Sequence, residues 1–143
     1  MKQGIDILTE LPGPRCRAAL EEARLYEPAS MSEQAPVVWD QAEGCYVKDL
    51  DGNVFLDFTS GVLVANVGHS RPEIVEAIRV QAGKVINCYD FLSEPRLALS
   101  KRLVALAPTP LDRAFILTTG AEATEAAIKL ARKATGKYEI IAF

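Results

Sequence analysis

The spacing of polar and apolar positions changes along the chain, and each change marks an element. Residues 13–26, "GPRCRAALEEARLY", place Ala18, Leu20, Ala23 and Leu25 partly on one side of a short helix whose period is weak. A connector rich in Ser, Glu and Pro follows over residues 28–36. In "VVWDQAEGCYVKDLDGNVFLDFTSG" the period becomes two, with Val54, Leu56 and Phe58 on one face and Asp51-Gly52-Asn53 between "CYVKDL" and "VFLDF". Asp-Gly between alternating runs predicts a hairpin because Gly tolerates positive φ. This segment is expected to be a small antiparallel sheet with Trp39, Tyr46 and Phe55 in its core.

A glycine-bearing loop, "TSGVLVANVGHS", leads to two amphipathic helices. The first is expected to open with Ser70 as cap, Pro72 in its first turn and Glu73 closing an S-x-x-E box, and to bury Ile74, Ile78, Ala82 and Val85. The second opens at Ser93 and Pro95, carries Leu99, Leu103 and Leu106 on one stripe, and stops at Pro108. Beyond it, "RAFILTT" and "YEIIAF" read as buried strands on either side of the helix "AEATEAAIKLARKA", which stops at Gly136. Strand, helix and strand in this order predict a βαβ unit with parallel strands, and so an α/β fold.

The corner where the first of these strands meets its helix carries the most chemistry. Glu122 and Glu125 in the early turns and Lys129, Arg132 and Lys133 in the later ones complement the helix dipole, and Glu125 and Lys129 make an i, i+4 pair. The first turn exposes unpaired N–H groups, Gly120 removes the Cβ that would keep a ligand off the backbone, and Thr119 adds a hydroxyl. The residues leave two readings open: an anion site, most naturally for a phosphate, or an ordinary capped helix. Glu122 clears such an anion if its side chain points along the helix, a direction the sequence leaves open.

Composition narrows the partners. The chain has 143 residues and 49% hydrophobic content, a formal net charge of −3 and a pI near 5.2, with no clustered Lys and Arg among aromatics, so nucleic acid is not an expected partner. No stretch approaches the roughly 20 apolar residues of a membrane span, and "MKQGIDILTELPGPR" lacks the apolar core of a signal peptide. Cys16, Cys45 and Cys88 show no ligand or disulfide pattern and are expected to be small buried hydrophobes in a reducing, cytoplasmic setting.

Taken in order, "GCYVKDLDGNVFLDFTSG", "NVGHSRPEI" and "TTGAEATEAAIKLARKATGKYEIIAF" resemble the N-terminal part of the class III (ω-type) pyridoxal-phosphate-dependent aminotransferases, from about Pro36 to Phe143. The resemblance implies fold type I. Residues 1–59 would supply the N-terminal helix and small sheet, and 60–143 the start of the large cofactor-binding α/β domain with its first βαβ unit. It assigns the phosphate of pyridoxal 5′-phosphate to Thr119, Gly120 and Ala121. It also implies an amino donor, a 2-oxo acid acceptor and a homodimer with active sites at the subunit interface.

In that family the Schiff-base lysine, the acidic partner of the pyridinium nitrogen and the aromatic-His-Gly segment lie later in the chain. Lys2, Lys48, Lys84, Lys101, Lys129, Lys133 and Lys137 all read as solvated. The expectation is therefore an N-terminal fragment with no catalytic residue of its own, inactive in isolation. Val62 is the expected substrate-contacting position. The similar dialkylglycine decarboxylases carry Gln there, against the substrate carboxylate, whereas an aliphatic residue resembles the 4-aminobutyrate aminotransferase type and favours proton loss over decarboxylation. Three readings follow: an aminotransferase, a dialkylglycine decarboxylase-like enzyme, or a non-catalytic phosphate-binding or assembly fragment. His69 reads as a scaffold hydrogen-bonder, and Tyr89 with Phe91 as neighbours of a substrate entrance or subunit interface.

Overall fold

The computed structural model describes residues 4–32 and 35–142; Lys2 and Phe143 lie outside them. The chain forms two compact units, Met1–Ile86 and Asn87–Phe143.

The first unit contains α1 (Pro14–Ala23), α2 (Ala29–Ser32), β1 (Trp39–Glu43), β2 (Tyr46–Asp49), β3 (Val54–Leu56), α3 (Ser60–Leu63) and α4 (Pro72–Ala82). The three strands make the expected antiparallel sheet in the order β1-β2-β3, with Val47 opposite Phe55 and a register irregularity between Trp39 and Gln41. Gly52 takes φ +91 in the turn between β2 and β3, a conformation L side chains resist. Asp6 exchanges backbone hydrogen bonds with Val54 at 2.7 and 3.0 Å, which brings the N-terminal segment alongside β3.

A polar knot joins the small apolar core of Cys16, Val47 and Val54 in holding this unit together. Asn53 is fully buried. Its amide oxygen accepts the Leu8 and Thr9 N–H groups at 2.7 and 3.0 Å, and its amide nitrogen donates to Asp49 Oδ2 at 2.7 Å. Buried Asp49 also accepts the N–H groups of Asp51 and Asn53 through Oδ1, so the hairpin turn closes on its own carboxylate. Asp51 caps α1 from a distance, accepting the Arg15 and Cys16 N–H groups at 2.9 and 2.8 Å. Gly13 is required there, because a Cβ would stand 2.4 Å from Asp51 Cγ.

Several expected details of this unit are corrected. Ser70 does not cap α4: it takes φ +52, and Arg71 occupies the N-cap position without a side-chain bond. Phe58 is exposed, and Trp39 is half exposed with its ring set edge-on against His69. Only Cys16 of the three cysteines is buried, Cys45 being exposed and Cys88 intermediate. The apolar stripe of α4 is open as well, with Ile74 and Ile78 accessible.

The second unit holds α5 (Glu94–Leu106) and α6 (Gly120–Thr135). α5 follows Ser93, which takes the extended N-cap conformation, and carries Pro95 in its first turn; Leu99, Leu103 and Leu106 are solvent-accessible. α6 ends at Gly136 in the left-handed conformation, whose N–H donates to Arg132 O at 2.9 Å. The Glu125–Lys129 pair forms at 3.6 Å. The segments flanking α6 differ from the expected parallel pair. Residues 111–117 and 137–142 form no ladder, and Phe115, Tyr138 and Ile141 are exposed. An apolar extended run becomes a strand only when a neighbour satisfies its N–H and C=O groups, and the described residues offer none beside either run.

Candidate functional site

The corner before α6 is built by its cap. Thr119 sits at the N-cap in extended conformation (φ −136, ψ 161), and its Oγ1 accepts the Glu122 N–H at 3.2 Å while its carbonyl accepts the Ala123 N–H at 3.0 Å. Among the described residues the amides of Gly120 and Ala121 have no partner. A Cβ built on Gly120 meets nothing within 4 Å, so the space above that backbone is open. Thr119 keeps its hydroxyl proton free to donate. Two amides and a hydroxyl therefore stand exposed at the positive end of a 16-residue helix.

Glu122 does not point along the helix. It turns back to Thr118, accepting that residue's N–H at 3.1 Å and its hydroxyl proton through the same Oε2. These bonds, the hydroxyl's foremost, hold its carboxyl below the ordinary range. The arrangement resembles a capping box displaced by one residue: it fixes Thr118 and so directs Thr119, but leaves an acidic group next to the corner. The corner's donors nevertheless suit an anion such as a phosphate ester, since neither free amide nor the Thr119 hydroxyl is used by Glu122 Oε2.

Val62, in the other unit, lies in α3, which is a turn of left-handed hand. Ser60, Gly61, Val62 and Leu63 have φ of 49, 57, 58 and 64. Leu63 and Val64 donate back to Thr59 and Ser60 at 3.0 and 2.9 Å. Such a conformation costs a non-glycine residue about 1–2 kcal/mol, and a β-branched one such as Val62 is poorly suited to it. Val62 itself is 85% exposed.

The residue that holds this turn is one that sequence reasoning missed. Asp57 Oδ1 accepts the Thr59 N–H and hydroxyl at 2.7 Å each and the Ser60 N–H at 3.2 Å, and Oδ2 meets His69 Nε2 at 2.7 Å. His69 donates foremost and Thr59 next, and together they hold the Asp57 carboxyl down at about 2. An Asp two residues before Thr59 is the signal that was available, since Asx turns use that spacing. His69 is a scaffold hydrogen-bonder here, as its backbone also exchanges bonds with Gly44 at 2.8 and 3.0 Å.

No described lysine is buried; Lys48, the least exposed, pairs with Asp40 at 3.3 Å. Cys16, Asp49 and Asp51 bring potential ligand atoms within 4.8 Å of one another, but both carboxylates are committed to the N–H donors described above. No helix among the described residues is long and apolar enough to cross a membrane.

Comparison with known proteins gives these features a family. The class-III aminotransferase model matches residues 28–143, and the chain belongs to that family, whose cofactor is pyridoxal 5′-phosphate. It is 47% identical over 103 residues to the acetylornithine aminotransferase of Methanocaldococcus jannaschii, covering 71% of this chain and 25% of that protein. It is 32% identical over 146 residues to the 4-aminobutyrate aminotransferase of Mycobacterium bovis, covering 100% of this chain and 32% of that one. Among solved structures, the taurine:2-oxoglutarate aminotransferase of Bifidobacterium kashiwanohense, determined with PLP and glutamate, matches with TM-score 0.74 and 34% identity over 91% of this chain and 29% of that one. The architecture is that of fold type I, and the chain spans between a quarter and a third of the length of these relatives.

Proposed function

We propose that the whole protein is a pyridoxal-phosphate-dependent aminotransferase that moves an amino group from an amino acid or ω-amino compound to a 2-oxo acid. The observation that carries this reading is the corner at Thr119, Gly120 and Ala121, where two amides without a partner among the described residues and a hydroxyl lie at the start of α6. In this reading those three residues hold the cofactor's phosphate. When bound, the cofactor supplies an electron sink for the bonds at the substrate's amino-bearing carbon. The chain's own task is orientation: α6 fixes the anionic end, and a charge-assisted set of N–H donors needs no rearrangement to receive it.

Val62 bears on reaction type. An isopropyl side chain accepts and donates no hydrogen bond, so it gives a substrate carboxylate nothing to hold and the Cα proton is the group removed. Transamination is thus supported over the decarboxylation of dialkylglycines. The resemblance puts the cofactor-bearing lysine elsewhere in the whole protein, and the 143-residue chain by itself is expected to show no turnover. Residues 1–59 are assigned to a small N-terminal domain and 60–143 to the opening of the large one, in a cytoplasmic homodimer. The open stripes of α4 and α5 suit an assembly in which further structure covers them.

The test is a two-substrate assay of the whole protein with pyridoxal phosphate. Amine-dependent consumption of a 2-oxo acid without carbon dioxide release is expected, and carbon dioxide release from a dialkylated amino acid would contradict the reading.

A further inference from the structure

We propose that Asp57 and His69 are positioning residues for amino-donor recognition: they hold the left-handed turn that presents Val62, and so set donor specificity without touching the donor. The proposal rests on the reading that Val62 meets the substrate.

Among the described residues no apolar packing holds the turn, Val62, Leu63 and Val64 being 85, 74 and 83% exposed. Polar anchors are what the structure supplies for its unfavourable backbone, and they act in series. Thr59 Oγ1 accepts the Gly61 N–H at 3.1 Å and donates to Asp57 Oδ1 at 2.7 Å. The Asp57 side chain, 4% exposed, reaches His69 Nε2 with its other oxygen. His69, 15% exposed, is fixed in turn by the Gly44 backbone and by the ring of Trp39, whose centroid lies 5.6 Å away at 89°. Gly68 makes that close approach possible, since a Cβ there would stand 3.3 Å from Gly44 Cα. A continuous tether thus runs from the end of β1 through His69 and Asp57 to the turn at position 62. It lies within one compact unit, and every link is a hydrogen bond or ring contact.

The consequence is a population effect. If the tether is cut, the turn relaxes toward ordinary backbone conformations, and only the fraction of molecules that still present Val62 correctly bind donor well. Apparent affinity falls by that fraction, while the chemical step in correctly bound complexes is unchanged.

The experiment uses the whole, cofactor-loaded enzyme and a series of amino donors of increasing side-chain size, with kcat, KM, pyridoxal phosphate affinity and melting temperature measured for Val62→Phe, His69→Ala, His69→Gln and Asp57→Ala. We expect Val62→Phe to reorder the donors. His69→Ala should raise donor KM about tenfold, as for loss of one well-placed hydrogen bond, with kcat and cofactor affinity within about twofold. His69→Gln, whose amide can donate to Asp57, should recover most of the lost KM. Should Asp57→Ala fail to fold, the two His69 variants still decide the matter. If Val62→Phe leaves the donor order untouched, the underlying reading of Val62 fails and the proposal with it. If Val62→Phe reorders donors while His69→Ala keeps the original KM, the tether alone is overturned. A joint fall of kcat, cofactor affinity and melting temperature in His69→Ala, with no recovery in His69→Gln, also overturns it in favour of a general scaffold role.

Discussion

Glu122 accepts the backbone N–H of Thr118 at 3.1 Å, so the acidic residue in the first turn of α6 braces the corner from outside instead of filling it. On the proposed phosphate site the carboxylate would have two opposed effects: it fixes Thr118 and hence Thr119, and it repels a like charge. Glu122→Gln keeps an acceptor for Thr118 and removes the charge. It should bind pyridoxal phosphate at least as tightly as the parent enzyme. Glu122→Ala loses the brace and should bind about three- to tenfold more weakly, the range expected for one hydrogen bond. Titration of the apoenzyme by cofactor absorbance measures both.

The Asp57 carboxyl gives a pH dependence with a definite sign. Its folded value lies at about 2 against an ordinary 3.8, so the group binds a proton more readily in the unfolded chain. Its stabilising contribution is fully present above the unfolded value and is lost as pH falls through the folded one. Urea midpoints of the whole protein should drop over this acid window, and Asp57→Asn should show a shallower drop there. Parallel curves for the two proteins would refute the assignment.

Gly13 and Asn53 test the polar knot of the first unit. Gly13→Ala pushes a methyl group into Asp51, which is itself held by Arg15 and Cys16, and should destabilise by about 1–3 kcal/mol. Asn53→Ala strands the Leu8 and Thr9 amides and one oxygen of Asp49, and should cost about 2–3 kcal/mol or more. Both are read from denaturant midpoints.

Val62 offers a test of reaction type. Val62→Gln places a hydrogen-bonding amide on the turn, where the resemblance puts the carboxylate contact of the decarboxylating relatives. Carbon dioxide release from a dialkylated amino acid, relative to transamination of a donor that carries a Cα proton with the same 2-oxo acid, should rise. An unchanged ratio would show that position 62 does not set the reaction type.

Local chemistry was legible in the sequence; long-range pairing was not. Asp51-Gly52-Asn53 announced its hairpin because turn residues act within a few positions, and Thr119, Gly120 and Gly136 announced both ends of α6 for the same reason. Phe115 and Tyr138 have strand propensity, yet a ladder depends on neighbours that the runs themselves do not encode. Ser70 matched a capping box by spacing, but the adjacent Gly44–His69 backbone pairing holds the chain in a conformation that leaves Arg71 at the cap. Asp57 was overlooked because its role comes from His69, twelve residues away, and from a turn whose left-handedness "TSGVL" does not advertise.

The phosphate assignment is tested by comparing the binding of pyridoxal 5′-phosphate with that of pyridoxal on the whole apoenzyme and on its Gly120→Ala variant. The new Cβ meets no protein atom within 4 Å, so folding and melting temperature should be nearly unchanged. The parent should prefer the phosphorylated form strongly, and the variant should lose at least about tenfold of that preference, as two charge-assisted amide contacts are obstructed. Equal preference in the two proteins would place the phosphate elsewhere and contradict the assignment of Thr119, Gly120 and Ala121.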